Sequence, residues 1–161
     1  MAKTKFMIEP GKQEILMTRA FNAPRQRVFN AYTDPALIPQ WWGPRRLTTT
    51  VDTMEVKKGG VWRYVQRDAQ SNEFAFNGVY HEITSPERLI NTFEFEGFPG
   101  HVGLVITTFE EQDGQTLLHE KSVFPSVEDR DGIISNGMEP GAIETMNRFE
   151  ELLAKFGANN S

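Results

Sequence analysis

No cysteine occurs anywhere in the 161 residues, which excludes disulfides, thiol nucleophiles and cysteine-held zinc. Histidine is nearly as scarce. His81, His101 and His119 show neither HExxH nor His-x-x-His spacing, so the sequence predicts no metal site. No Ser–His–Asp set, activated lysine or nucleotide fingerprint is present, so no residue is assigned a catalytic role and no cofactor is expected. Gly59–Gly60 is read as a turn, because no helix with Lys-Ser/Thr follows it. The opening "MAKTK" leads into no apolar run, and no stretch approaches the roughly 18 apolar residues of a membrane span. The expectation is a cytoplasmic protein with no membrane insertion. A strong charge of either sign is missing too: 17 basic against 22 acidic residues leave a net charge of −5. That balance argues against a nucleic-acid surface. Arg45, Arg46 and the Lys57–Lys58 pair read as a solvated rim.

What remains is an ordinary globular composition, 39% hydrophobic and 24% charged, at a length that suits one domain. Residues 12–21, "KQEILMTRAF", alternate with Ile15, Met17 and Phe21 on one side and predict a strand. In "NAPRQRVFNAYTDP", Asn22 is a candidate cap and Pro24 suits a first turn. Val28, Phe29 and Tyr32 form an apolar stripe, which predicts a short helix. "PALIPQWW" predicts a second one, ended by Gly43–Pro44.

Six strand-like segments follow: "LTTTVDTMEV", "GVWRYVQRD", "EFAFNGVYHEIT", "RLINTFEFE", "HVGLVITTFEE" and "TLLHEKSVF". The connections are short and turn-rich, which predicts an antiparallel meander. No βαβ rhythm is present, so a Rossmann-type cofactor fold is excluded. Beyond Phe124, Ser126 with Asp129 gives a capping signal, and Asn136–Gly137 marks a break. From Ala142, the residues Ile143, Met146, Phe149, Leu153 and Phe156 recur at helical spacing. The "EDRDG" acids are explained by their place at a helix start, where the helix dipole favours negative charge.

The fold class is thus α+β. A curved antiparallel sheet of about six to seven strands wraps a long C-terminal helix, with two short helices after the first strand. The expected limits are an N-terminal tail over 1–11, one domain over 12–157 and a polar C-terminal tail over 158–161. Such a sheet curls, and the space beneath the helix becomes a cavity unless large side chains fill it.

"TRAFNAPRQRVFNAYTDPALIPQWWGP", "GGVWRYV", "FNGVYHEITSPERLINTFEFEG" and "EDRDGIISNGMEPGAIETMNRFEELL" resemble bacterial proteins similar to the C-terminal domain of the activator of heat-shock-protein-90 ATPase. These belong to the START and birch-pollen-allergen superfamily. The resemblance covers about residues 12–156. It implies a helix-grip fold and a hydrophobic cavity between sheet and last helix, able to bind lipid-, polyketide- or flavonoid-like molecules. The family name adds a link to stress response and a weak chaperone contact as an alternative. A cyclase or dehydratase using the same pocket, with Glu120 or His101 as its titrating group, is a further one. A monomer or a homodimer is compatible with all of these.

The candidate binding residues follow from this frame. Trp41 and Trp42 are adjacent, so they cannot both point into one core. One is expected to close the core while the other borders an opening or water. Trp62 and Tyr64 alternate on one strand, as do Phe93 and Phe95 on another. With Phe76, Tyr80 and Phe124 they are either core packing or cavity wall. Met54, Met138 and Met146 offer an adaptable lining, and the small Ala142, next to Gly141, would leave room. In "TLLHEKSVF" both faces pair two polar with two apolar residues, so alternation does not place Glu120. The resemblance favours the Leu118–Phe124 face turning inward, which would put Glu120 in the cavity. A buried carboxylate needs a partner, and Tyr64, Tyr80, Arg63 or a ligand hydroxyl are the candidates.

Overall fold

A computed structural model describes residues 3–159. The eight strands among these residues form one antiparallel sheet in the order β1-β2-β8-β7-β6-β5-β4-β3. β3 (Thr48–Met54), β4 (Val61–Arg67), β5 (Glu73–Thr84), β6 (Arg88–Phe95), β7 (Gly103–Gln112) and β8 (Gln115–Val123) are the expected meander. β8 then pairs with β2 (Glu14–Phe21), so that Glu120 sits between Met17 and Thr107. The count exceeds the expected six to seven because β1 (Lys5–Met7), inside the segment expected as a tail, pairs with β2 through Phe6↔Met17. Three residues are too few to show a period, so β1 exists because β2 offers it a free edge.

β2 buries Ile15, Met17, Arg19 and Phe21 along one face. Arg19 is the surprise, only 2% exposed. It donates to Asn147 Oδ1 at 2.7 Å and to Thr4 Oγ1 at 3.0 Å, while its Nη2 lies 3.2 Å from Glu150 Oε1 outside hydrogen-bond alignment. It therefore ties the sheet to the last helix.

α1 (Arg25–Thr33) buries Val28, Phe29 and Ala31. Asn22 does not cap it. The helix begins after an extended Pro24, and the Arg25 backbone N–H donates to Glu111 Oε1 on β7 at 2.6 Å. A carboxylate from a distant strand thus satisfies the positive end of the helix. The expected second helix is one 3₁₀ turn, Ile38–Gln40. Gly43, at φ +95°, and Pro44 allow it no extension. The chain then reaches β3 at the far edge of the sheet, so this excursion lies across one face.

α2 (Val127–Ser135) starts where Ser126 Oγ accepts the Asp129 N–H at 3.0 Å. Gly137, at φ +88°, breaks the chain before α3 (Met138–Asn159). The helix therefore runs into the expected tail; residues 160 and 161 lie outside the described residues. Its buried stripe is Met146, Phe149, Leu152 and Leu153, while Ile143 is exposed. Phe149 is fully buried, with ring centroids 5.1 Å from Phe21, 5.2 Å from Tyr32 and 4.5 Å from Trp41. Burying one such ring contributes about 3 kcal/mol. This cluster clamps the middle of α3 onto the sheet and leaves the space under its N-terminal half open.

Candidate functional site

That space is a cavity of about 350 Å³. Its floor is the inner face of β2 and β4–β8, its roof is Ala142, Thr145 and Met146 of α3, and its side is Tyr32 with the 38–44 segment. The deep end is formed by buried Met17, Trp41, Tyr64, Tyr80 and Thr107, with half-buried Tyr32 beside them. Trp42, Gly43, Pro44, Asn91, Phe93 and Thr145 are half-buried and form the rim.

The two tryptophans separate cleanly. Trp41, 2% exposed, donates from Nε1 to Ala31 O at 3.0 Å and packs on Tyr32 at 4.8 Å. Trp42 turns the other way, with its ring 5.0 Å from Tyr64 and 5.3 Å from Phe76. The turn that splays them is fastened from α3. Arg148 donates to Gly43 O at 2.7 Å and to Gln40 O at 3.2 Å, and Thr49 Oγ1 donates to Trp42 O at 2.7 Å. Gly43 is favoured by its backbone, since φ +95° is a conformation that side chains rarely adopt, and a Cβ there would also push the Gln66 amide aside.

Trp62, Tyr64, Phe76 and Phe93 continue the aromatic wall, with neighbouring centroids 4.6–6.4 Å apart. Trp62 Nε1 is buried without a partner, over Gly78 of β5. Tyr64 and Tyr80 face each other, and burial pushes both hydroxyls up from the usual phenol range.

Glu120 reaches the cavity from β8. It is half-buried, closely surrounded by protein, and lines the cavity. Burial raises its carboxyl to about 7, against a smaller opposing pull from the Tyr32 hydroxyl. Burial foremost, then the Glu120 charge, pushes Tyr32 far above the usual phenol range. Although near enough to influence Glu120, Tyr32 Oη has no well-aligned hydrogen bond among the described residues. The group facing Glu120 is therefore Tyr32 rather than the expected Tyr64, Tyr80 or Arg63. Arg63 lies on the outer surface, paired with Glu96 at 2.8 Å and Asp52 at 3.5 Å.

Of the residues named from sequence, Trp41, Trp42, Trp62, Tyr64, Phe76 and Tyr80 line the cavity, as do Phe93, Glu120, Ala142 and Met146. Four do not. Met54 sits behind Tyr64, accepting its hydroxyl at a 3.7 Å O–S distance, and Phe95 packs on Phe76 at 5.1 Å. Phe124 lies beyond β8, near Gly103, and Met138 is the first residue of α3. His101 lies outside as well, stacked on Phe98 at 3.7 Å and bonded through Nδ1 to Asp129 Oδ2 at 2.7 Å.

Tyr32, Thr107, Asn91 and Gln66 were missed as wall residues. Tyr32 stood on the α1 stripe, but which strand it meets depends on tertiary packing. Thr107 was recoverable only from the β7–β8 register opposite Glu120. Among the described residues, no group of three or more histidine, aspartate or glutamate side chains is placed to hold a metal ion. Among the same residues, no helix is long and apolar enough to cross a membrane.

Several solved structures share this architecture. A protein of Rhodobacter sphaeroides is 25% identical with a TM-score of 0.87, covering 95% of this chain and 99% of its own. A Staphylococcus epidermidis protein is 29% identical with a TM-score of 0.81, over 92% and 94%. Protein Ms6760 of Mycobacterium smegmatis is 24% identical with a TM-score of 0.84, over 94% and 96%. No curated protein matches in sequence. The family model described as Activator of Hsp90 ATPase homolog 1-like protein matches residues 22–154, spanning α1, the 38–44 turn, the meander and most of α3, and the chain belongs to that family.

Proposed function

We propose that the protein binds one small hydrophobic molecule with a flat or aromatic body between the sheet and α3. The observation carrying this reading is the cavity of about 350 Å³, walled by aromatic faces, with the polar groups of Glu120 and Tyr32 at one end. Burial of apolar ligand surface supplies the driving force, about 25 cal/mol per Å², and the few polar groups fix orientation. Trp42 borders the entry, and Trp41 belongs to the wall that holds the fold. The broader aromatic, polyketide-like or lipid-like class is the range that such a wall accepts.

The test is an amide- and methyl-resolved NMR titration with flavonoids, polyketide-like aromatics, sterols and fatty alcohols, repeated on Ala142→Trp. Saturable shifts at Trp42, Trp62, Tyr80 and Met146 together, lost when the new indole fills the cavity, are the expected result. Shifts scattered over the surface, or unchanged by Ala142→Trp, refute the reading.

A further inference from the structure

We infer that the cavity selects a cation: a protonated amine joined to an aromatic or apolar body, with the ammonium group against Glu120 and Tyr32 Oη. The inference rests on the pocket reading above and narrows its ligand class.

Three independent features of the wall point the same way. First, Glu120 is an enclosed acid with no basic partner, and no lysine, arginine or histidine lines the cavity among the described residues. Arginines on the elements around the cavity are engaged elsewhere: Arg148 with the carbonyls of Gly43 and Gln40, and Arg19 with Asn147 and Glu150. Burying an acid without a counter-charge is unfavourable, and a ligand cation would supply what the protein does not.

Second, side-chain acceptors on the wall are left open, while the unpartnered Trp62 N–H is covered by the sheet over Gly78. Asn91 spends an N–H on Thr92 O at 3.0 Å and Gln66 one on Thr49 Oγ1 at 3.3 Å. Among the described residues, neither side-chain carbonyl has a protein donor. Tyr32 Oη, buried and unpartnered, offers a further lone pair. An ammonium group brings three donors to such a wall and needs no donor in return.

Third, Trp42, Trp62, Tyr64, Phe76 and Phe93 line the cavity with aromatic rings, whose π systems attract positive charge. Glu120 on β8 lies opposite Thr107, and Thr107 opposite Leu89 on β6, while Phe93 stands four residues further along β6, so the two are about 10 Å apart across the sheet and about 13 Å along it. A ligand with its cationic head at Glu120 and its aryl body toward Phe93 would lie diagonally across the sheet. The same field opposes anions: a fatty-acid carboxylate would meet Glu120 with no protein cation between them.

The test compares three ligands of matched size at pH 8: 4-phenylbutylamine, 4-phenylbutanol and 4-phenylbutanoate, titrated by NMR against the wild type, Glu120→Gln and Tyr32→Phe. The amine should bind at least about tenfold more tightly than the alcohol, and the acid least. Glu120→Gln should cost the amine about tenfold while leaving the alcohol within about twofold. Tyr32→Phe should weaken the amine by a smaller factor. If alcohol and amine bind alike, or the amine keeps its affinity in Glu120→Gln, charge selection is refuted while the pocket reading stands. If none of the three binds, and the wider aromatic panel does not bind either, both readings fall.

Discussion

Replacing Glu120 by Gln should make the protein more stable at alkaline pH and leave it unchanged in acid. Glu120 is closely surrounded by protein, lacks a cation, and has its carboxyl raised from 4.5 to about 7 by burial. An acid with a higher folded value holds its proton more tightly when folded. Its contribution is full below the unfolded value near 4.5 and is lost as pH rises through about 7. At about 1.36 kcal/mol per pH unit, that gap corresponds to about 3 kcal/mol. Glu120 is only half-buried, so screening reduces this figure, and about 1–3 kcal/mol is the expected gain for Glu120→Gln at pH 8.5. The assay is urea denaturation of both proteins from pH 4.5 to 8.5, read as a difference. The pairs His101–Asp129 and His119–Glu110 are present in both proteins and cancel. The difference should start near zero and open between pH 5 and about 7.5. A difference that stays flat, or a wild type more stable at pH 8.5, would refute the assignment of Glu120 as an enclosed, uncompensated acid.

The adjacent tryptophans should behave unlike one another. Trp41→Ala removes a ring packed against Tyr32 and Phe149 and should cost about 3–5 kcal/mol by urea denaturation. Trp42→Ala, at the half-buried rim, should cost about 1–2 kcal/mol. Gly78→Ala should cost about 3 kcal/mol or prevent folding, because its Cβ would stand 1.9 Å from Thr92 O and 2.5 Å from Trp62 Nε1; wild-type-like stability would mean that β5 shifts freely. Arg148→Ala severs both bonds to the 40–43 turn and should lose about 2 kcal/mol. Amide exchange should accelerate at residues 40–44 and stay unchanged in β8; uniform acceleration would count against a local fastening.

Much of this protein is written locally. The six-stranded meander follows from period-two alternation and turn residues, both properties of a few neighbouring positions, and "EFAFNGVYHEIT" matches β5 at both ends. The α3 stripe was readable at its centre for the same reason, although Ile143, one residue outside the buried arc, is exposed. β1 was not readable, because three residues pair only when β2 presents an edge. Nor was Arg19: a charged residue on an apolar face looks like an interruption until Asn147 and Glu150 arrive from α3. The site divides in the same way. That one tryptophan must face inward and the other elsewhere is a consequence of adjacency; which does which depends on the Gly43 turn and on Arg148, over a hundred residues away. The side chains of β8 carry the same balance of polar and apolar groups on both faces, so Glu120 had no local reason to point either way. Its direction comes from the register with Met17 and Thr107, and its raised carboxyl value from the enclosure that α1 completes through Tyr32. Burial and electrostatics sum over everything near a group in space, and a sequence orders only what is near along the chain.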